Sequence, residues 1–234
     1  MRGYVQIFRT MVGKKAVMAV SGIVLFGFVL VHMIGNLKLY MGRYASGPHA
    51  GRYVIDVHGT GLREMGGPFF SHGEALWLAR IVLIAAVLLH IWAATSLTLQ
   101  SWAARPVSYR LLRKIEADYA ARTMRWGGVI ILLFVLFHLA DLTFGWANPD
   151  FQPGAVHHNL VASFQQPLVA IFYVAANLAL GFHLFHGLWS MFQSLGWNNP
   201  KFDPWRRRFA VAFAFLITIG NVSFPVAVLS GIVR

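Results

Sequence analysis

The sequence predicts an all-α membrane protein with five transmembrane helices. Of its 234 residues, 57% are hydrophobic and 12% are charged, whereas about 25% of the residues in a typical soluble domain are charged. The apolar residues are clustered in five blocks, each near or above the ~20 residues that cross a bilayer as a helix. We therefore expect one integral-membrane domain covering residues 1–234.

The five predicted spans begin and end near interfacial aromatic residues. They cover residues 16–40, 74–102, 124–146, 164–195 and 208–232. Tryptophans close to several of these ends, as in an aromatic belt at the membrane surface, are Trp77, Trp102, Trp126, Trp146, Trp197 and Trp205. The first block is longer than the apolar core of a signal peptide and is not closed by an Ala-x-Ala site, so we expect a retained helix.

The net charge of +12 follows the predicted topology. Fourteen Lys and Arg residues precede the first span or lie in the second-to-third and fourth-to-fifth connections, and six lie on the opposite side. Because positive residues concentrate on the cytoplasmic side, we expect a multi-pass protein of the cytoplasmic (inner) membrane, with the N-terminus in the cytoplasm and the C-terminus outside. The basic side suits a cytoplasmic protein partner or anionic lipid, and no nucleic-acid partner is expected.

Histidine occurs inside four of the five apolar blocks. The first contains His32, the second His90, the third His138, and the fourth His183 and His186. An ionisable residue inside a span is a functional-site hypothesis in its own right. At 1.5 Å per residue, His32 and His138 are predicted to lie roughly 10 Å below the outer membrane edge, and His90 and His183 roughly 24 Å below it.

Two layers of paired imidazoles favour bis-histidine haem ligation. Six-coordinate haem iron takes one axial ligand from each face of the porphyrin. We expect His32 and His138 to hold an outer, distal haem b, and His90 and His183 to hold a proximal haem b nearer the cytoplasm. Helices one to four would form this haem-binding bundle, with the fifth helix outside. His186 is the second-choice ligand, because its depth matches that of His90 less well.

Two other interpretations remain open at this point. The histidines can bond to helix carbonyls or to each other in an ordinary packed bundle. They can also line a proton or metal transporter, because imidazoles relay protons and bind metals. A transporter predicts acidic partners along its path, and the predicted spans contain almost none beyond Glu74 and Asp141.

Three segments carry a family resemblance. "KKAVMAVSGIVLFGFVLVHMIGNL", "YAARTMRWGGVIILLFVLFHLADLTFG" and "GFHLFHGLWSMFQSLGWNNP" resemble the cytochrome b membrane anchor of succinate dehydrogenase and fumarate reductase, in its single-chain, five-helix, di-haem form. The resemblance implies one haem ligand from each of the first four helices. These ligands map to His32, His90, His138 and His183.

The resemblance also implies a complex. An FAD-containing flavoprotein subunit would oxidise succinate, an iron–sulfur subunit would carry the electrons, and this chain would pass them through haem to a membrane quinone, with menaquinone favoured. The chain has no cysteine, so it holds no cysteine-ligated iron–sulfur cluster of its own. Some related fumarate reductases carry a glutamate where this chain has Gly181, which favours succinate oxidation here.

One alternative stays within the membrane cytochromes. A cytochrome b of a hydrogenase, formate dehydrogenase or nitrate reductase would also hold two haems. Such proteins usually draw several ligands from one helix, whereas here four helices offer at least one each.

Two lesser sites are predicted from depth and residue type. Haem propionates need donors near the cytoplasmic end, and the candidates are Ser21, Arg125 and Trp126. A quinone beside the outer haem needs donors in the connection that follows the first span, and the candidates are His58, Arg63, Glu64 and His72.

Overall fold

The computed structural model describes residues 8–104, 117–197 and 199–234. Within them it contains α-helices, short 3-10 turns and one isolated β-bridge between Arg43 and Tyr53. The helices are α1 (Met11–Asn36), α2 (Val54–Gly61), α3 (Glu74–Ala103), α4 (Ala117–Leu142), α5 (Val156–Phe164), α6 (Pro167–Ser194) and α7 (Asp203–Leu229). The basic residues Arg2, Arg105, Arg110, Arg113 and Lys114, used above for orientation, lie outside the described residues.

Five of these helices are long and apolar enough to cross a membrane, which confirms the predicted fold class. They are α1 with its 3-10 extension Leu37–Met41, then α3, α4, α6 and α7 with its own 3-10 start. The chain is therefore an all-α, multi-pass membrane protein.

The helix ends differ from the predicted ones where local chemistry starts or stops a helix. Helix α1 begins at Met11 rather than 16, because the Thr10 hydroxyl accepts the Gly13 N–H at 3.1 Å and caps the first turn. Helix α4 ends at Leu142 rather than 146, shortly before Gly145, whose φ of +75° is incompatible with a continuing helix.

The last two spans also start elsewhere than predicted. Helix α6 begins at Pro167 rather than 164, and proline at the first turn has no N–H to leave unsatisfied. Helix α7 begins at Asp203 rather than 208. The Asp203 carboxylate forms an ion pair with the buried Arg206, and an acidic residue in the first turn is favoured by the helix dipole.

The connections at one end of the bundle fold into a cap. Helix α2 lies in the long 41–73 connection, and α5, which was not predicted, directly precedes α6. The ring of Tyr53, just before α2, stacks on that of His157 in α5 with centroids 3.5 Å apart. Asp56 Oδ1 accepts the backbone N–H of His157 at 2.8 Å, so the two short helices are held together.

Helix α6 is the centre of the bundle. It packs extensively against α7 and α4 and also contacts α1, while α3 packs against α1. Met33 of α1, Leu188 of α6 and Ile217 of α7 are buried in one apolar core. Helix α7 carries no histidine and packs behind α6, so the four histidine-bearing helices form the rest of the bundle.

The α6–α7 contact depends on a small residue at Gly181, and this generates a prediction. A methyl group built on Gly181 would overlap the hydroxyl of Thr218. We expect Gly181→Ala to lower the free energy of unfolding by about 1–3 kcal/mol, the usual cost of overpacking. Unfolding of the purified protein in detergent measures this.

The matched control for that variant is the double change Gly181→Ala with Thr218→Ala. Removing the hydroxyl relieves the overlap, so the double variant should recover much of the lost stability, as coupled neighbours do in a double-mutant cycle. Additive losses would contradict the packing assigned to Gly181.

Candidate functional site

Two pairs of imidazoles face each other across the bundle. The rings of His32 on α1 and His138 on α4 have centroids 5.9 Å apart. The rings of His90 on α3 and His183 on α6 have centroids 6.3 Å apart. The structure thus brings together the same partners that the depth estimate paired, one from each of four helices.

The first pair is framed by aromatic side chains. Phe28, one turn before His32, stacks on it with centroids 5.3 Å apart. His138 lies beside Phe134 and Tyr173, with centroids 5.8 and 5.9 Å away. These rings give both imidazoles an apolar setting.

The second pair lies among small residues. Ala86, His90 and Ala93 follow each other at helical spacing, and both alanines are buried, so they share one face of α3. A Cβ placed on Gly22 would lie 3.5 Å from the His90 ring, and one placed on Gly128 would lie 3.9 Å from the His183 ring. Both rings therefore have close backbone approach from a neighbouring helix.

Hydrogen bonds define which nitrogen is available in two of the four rings. His90 Nδ1 lies 3.1 Å from the Met18 carbonyl oxygen, which only accepts, so Nδ1 carries the proton. His138 Nδ1 lies 3.3 Å from the Tyr173 hydroxyl, whose own proton goes to Asp141. In both rings Nε2 is therefore left as the unprotonated nitrogen that binds a metal.

The other two rings lack protein partners for at least one nitrogen. His183 Nδ1 is buried and has no hydrogen-bond partner among the described residues. His32 makes no hydrogen bond to any described residue. A buried polar atom without a partner, such as His183 Nδ1, is rare in folded proteins and calls for an explanation such as an ion or ligand.

The geometry of both pairs fits haem iron. Two metal–nitrogen bonds of about 2 Å, plus roughly 1 Å from each nitrogen to its ring centre, place two axial imidazole centroids about 6 Å apart. Both observed separations agree with this value. In the part of the chain described here, no three His, Cys, Asp or Glu side chains converge on one point. Haem needs only two axial ligands from the protein, so pairs are sufficient.

The rings are accessible as well as correctly spaced. His32 is exposed, and His90, His138 and His183 are half-buried. Helices α3 and α6 are not among the closely packed pairs of the described residues, although their histidines face each other. Part of each of these four residues is therefore accessible.

His186 occupies a different position from His183. Its ring lies against Phe185, with centroids 5.0 Å apart, whereas His183 is the ring of α6 that faces His90. His183 is therefore the α6 histidine whose position agrees with the predicted pairing, and its role as ligand stays a prediction.

The predicted propionate residues lie in the first halves of α1 and α4 and differ in their availability to a ligand. The Ser21 hydroxyl donates to the Val17 carbonyl at 2.7 Å and lies 3.2 Å from His90 Nδ1, so it is already engaged at ring depth. The Arg125 guanidinium lies over the ring of Trp102, 5.4 Å from its centroid. Trp126 is 73% exposed.

The predicted quinone residues separate into one packed residue and three exposed ones. His58 of α2 lies against α1, where a Cβ built on Gly35 would be 3.0 Å from its Nε2. Burial lowers the pKa of His58, and the positive charge of Lys38 lowers it further. Arg63, Glu64 and His72 are exposed in the connection after α2, and the structure does not bring them together with His58.

Several residues at the site were missed by sequence reasoning. Tyr173 contacts His138, and Asp141, noted above only as a rare acidic residue, binds that tyrosine. Lys14 was counted as a topology charge, yet it is buried and its Nζ donates to the Ser96 hydroxyl at 2.6 Å. The spacing of Asp141, three residues after His138, was the one available signal, because it places both on one helix face.

Comparison with known proteins adds an independent observation. Residues 116–222 match the family model described as "Succinate dehydrogenase/Fumarate reductase transmembrane subunit". The matched segment contains α4, α5, α6 and most of α7, and so includes His138 and His183 but not His32 or His90. Comparison with curated proteins and with solved structures gave no significant match. Over this segment, which is slightly less than half of the chain, the protein is similar to the succinate dehydrogenase/fumarate reductase transmembrane subunits.

Proposed function

We propose that the chain is the di-haem b membrane anchor of a succinate:quinone oxidoreductase. The observation that carries this proposal is the pair of facing imidazole sets, each at the separation of two axial ligands and each drawn from two helices. His32 and His138 would hold one haem b, and His90 and His183 the other.

The protein's contribution is to bind the haems, to orient their ligands and to insulate the haems from water. Haem iron, when bound, supplies a one-electron carrier in each layer. The Met18 carbonyl and the Tyr173 hydroxyl keep His90 and His138 turned with Nε2 free. The surrounding apolar side chains exclude water and lower the local dielectric constant. A low dielectric constant makes a net charge on each haem centre less favourable.

The charge at the beginning of α1 supports a role in holding propionates. Lys14 is 8% exposed and lies between α1 and α3, where Ser96 is its hydroxyl partner. A buried cation is stabilised by an anionic partner, and we assign this role to a haem propionate of the His90–His183 centre. Arg125 and Trp126 border the same end of the bundle.

The complex and its orientation follow from the same assignment. The end of the bundle that holds Lys14 and Arg125 would face the cytoplasm, where an iron–sulfur subunit delivers electrons from an FAD-containing succinate dehydrogenase subunit. Succinate oxidation thus takes place on a partner, and this chain carries the electrons to the quinone, for which menaquinone is favoured.

His58 is the proposed hydrogen-bond partner of the quinone. Gly35, against which it lies, is three residues after His32 and so about 4.5 Å further along α1. Its lowered pKa keeps the imidazole neutral at pH 7, so that it can donate to a quinone carbonyl without an added charge. Arg63, Glu64 and His72 remain candidates only for the rim of such a site.

The alternatives predict different chemistry at the same residues. A cytochrome b of a hydrogenase, formate dehydrogenase or nitrate reductase would bind haem but a different dehydrogenase. A histidine-lined proton or metal transporter would bind no haem. Co-purification of the succinate-oxidising subunits would distinguish the proposed function from the first alternative. The haem spectrum would distinguish it from the second.

Removal of a single ligand tests the pairing. We expect His90→Ala to lose the His90–His183 haem and to keep the other, halving the haem content per chain. His32→Ala should do the converse. Pyridine haemochrome stoichiometry, together with redox titration of the remaining haem, measures both outcomes.

The matched control is His186→Ala, which removes an imidazole from the same helix as His183. It should leave two haems in place. If His186→Ala loses a haem while His183→Ala keeps both, the ligand assignment on α6 is wrong.

Replacement of His58 tests the quinone role. Loss of one neutral hydrogen bond is worth about 1 kcal/mol, so His58→Ala should raise the KM for a water-soluble menaquinone analogue about fivefold with haem content unchanged. Lys38→Met should raise the pH at which the His58 imidazole titrates, because the positive charge that favours its neutral form is gone; NMR of the imidazole measures this shift.

The control for this variant is His49→Ala, which removes an exposed imidazole from the same connection. It should leave the KM unchanged. An equal rise in KM for both variants would argue against a specific contact of His58 with the quinone.

A further inference from the structure

A hydrogen-bonded chain of side chains lies behind His138. Its Nδ1 is 3.3 Å from the Tyr173 hydroxyl. That hydroxyl donates to Asp141 Oδ2 at 2.7 Å. The Ser163 hydroxyl donates to the same oxygen at 2.6 Å. These hydrogen bonds thus connect α4, α5 and α6.

The number of available protons determines the direction of each hydrogen bond among these side chains. A phenol has one proton, and here it points to Asp141, so the phenol oxygen can only accept from His138. The proton of His138 is then on Nδ1, and Nε2 keeps its lone pair. Asp141 Oδ2 accepts hydrogen bonds from both hydroxyls.

These hydrogen-bonded side chains are buried and closely packed. Asp141 and Ser163 are each 1% exposed and Tyr173 is 4% exposed. Phe134 and Phe164 pack edge-on against the Tyr173 ring, with centroids 5.2 and 4.8 Å away. Such packing prevents the phenol from turning, so the position of its oxygen is fixed relative to His138.

An ionisable residue inside a span is expensive and is usually retained for a function. No Lys or Arg is paired with Asp141 in the described part of the chain, where the ion pair found is that of Arg206 with Asp203. The hydroxyls of Tyr173 and Ser163 are instead its partners. Helix packing alone would be served by an apolar residue at this position.

We infer that Tyr173, held by Asp141, is the positioning residue that sets the ring orientation and the basicity of His138. This inference rests on the proposed haem ligation by His138. A hydrogen-bonded acceptor behind the distal nitrogen of a ligating histidine orients the ring and makes it a stronger donor to the metal. A stronger donor stabilises ferric over ferrous iron and so lowers the midpoint potential of that centre.

The second histidine pair provides an internal comparison. His90 is oriented by the backbone carbonyl of Met18, which no side-chain substitution removes. Changes to Tyr173 or Asp141 therefore act on the His32–His138 centre and leave the other centre as it was. A merely structural role in the bundle would affect both.

The test compares Tyr173→Phe with the wild type in the full-length, haem-loaded chain. Electron paramagnetic resonance of the ferric protein reports the relative orientation of the two axial imidazole planes for each haem. We expect one low-spin signal to shift and the matching midpoint potential to rise, while the signal and potential of the other haem stay unchanged. Loss of the His32–His138 haem in His32→Ala identifies which signal is which.

Matched variants separate the hydrogen bond from general damage. Tyr40→Phe removes the hydroxyl of a tyrosine that donates to Ser223 Oγ at 2.7 Å, away from the histidines, and should change neither haem. Asp141→Asn keeps the tyrosine ring in place and should raise the same potential as Tyr173→Phe, by less. If Tyr173→Phe fails to fold, the Asp141→Asn result decides.

The outcomes distinguish this inference from the proposed function. Two normal haems in both Tyr173→Phe and Asp141→Asn, or equal shifts of both haems, would overturn the positioning role and leave the proposed function intact. A wild-type chain without haem would overturn the proposed function. In that case the nitrogen shifts of His138 in the haem-free chain still test the contact: a proton confined to Nδ1 in the wild type and shared with Nε2 in Tyr173→Phe supports it, and identical shifts contradict it.

Discussion

The need of a buried imidazole for a bonding partner organises this bundle. Inside hydrocarbon no water is present to bond an exposed ring nitrogen, so each such group needs a partner within the membrane. Nδ1 of His90 and of His138 has a protein partner, whereas Nδ1 of His183 has none in the part of the chain that the structure describes. The ring centroids of each facing pair are separated by the distance expected between two axial ligands of one iron. Haem ligation would provide a bonding partner for one further nitrogen of each ring.

The packing of the helices follows from the same requirement. Helix α1 lies close to α3, and α6 lies close to α4 and α7, while each histidine pair links one helix of the first group to one of the second. Small residues such as Gly22 and Gly128 keep the rings from being crowded by a neighbouring helix. Gly181 serves helix contact instead, because its missing side chain makes room for Thr218 of α7.

Sequence reasoning predicted the parts that follow from period and depth. Apolar length predicted the five spans. The rise per residue paired His32 with His138 and His90 with His183, and the rings of each pair face each other in the structure. It missed α5, because nine residues of mixed polarity between two spans carry no strong helix signal. It also missed the Tyr173–Asp141 contact, since hydrogen bonds between residues 32 positions apart depend on how helices rotate against one another. The helix ends were displaced where Thr10, Pro167 and Asp203 act locally.

The measurement that tests the central claim most directly is the haem content of the purified wild-type protein, by reduced-minus-oxidised spectroscopy with a pyridine assay for stoichiometry. The account predicts two b-type haems per chain, both low-spin with two nitrogen axial ligands. A fully folded preparation without haem would contradict it, and a histidine-lined transporter would then be the better explanation of the four facing rings.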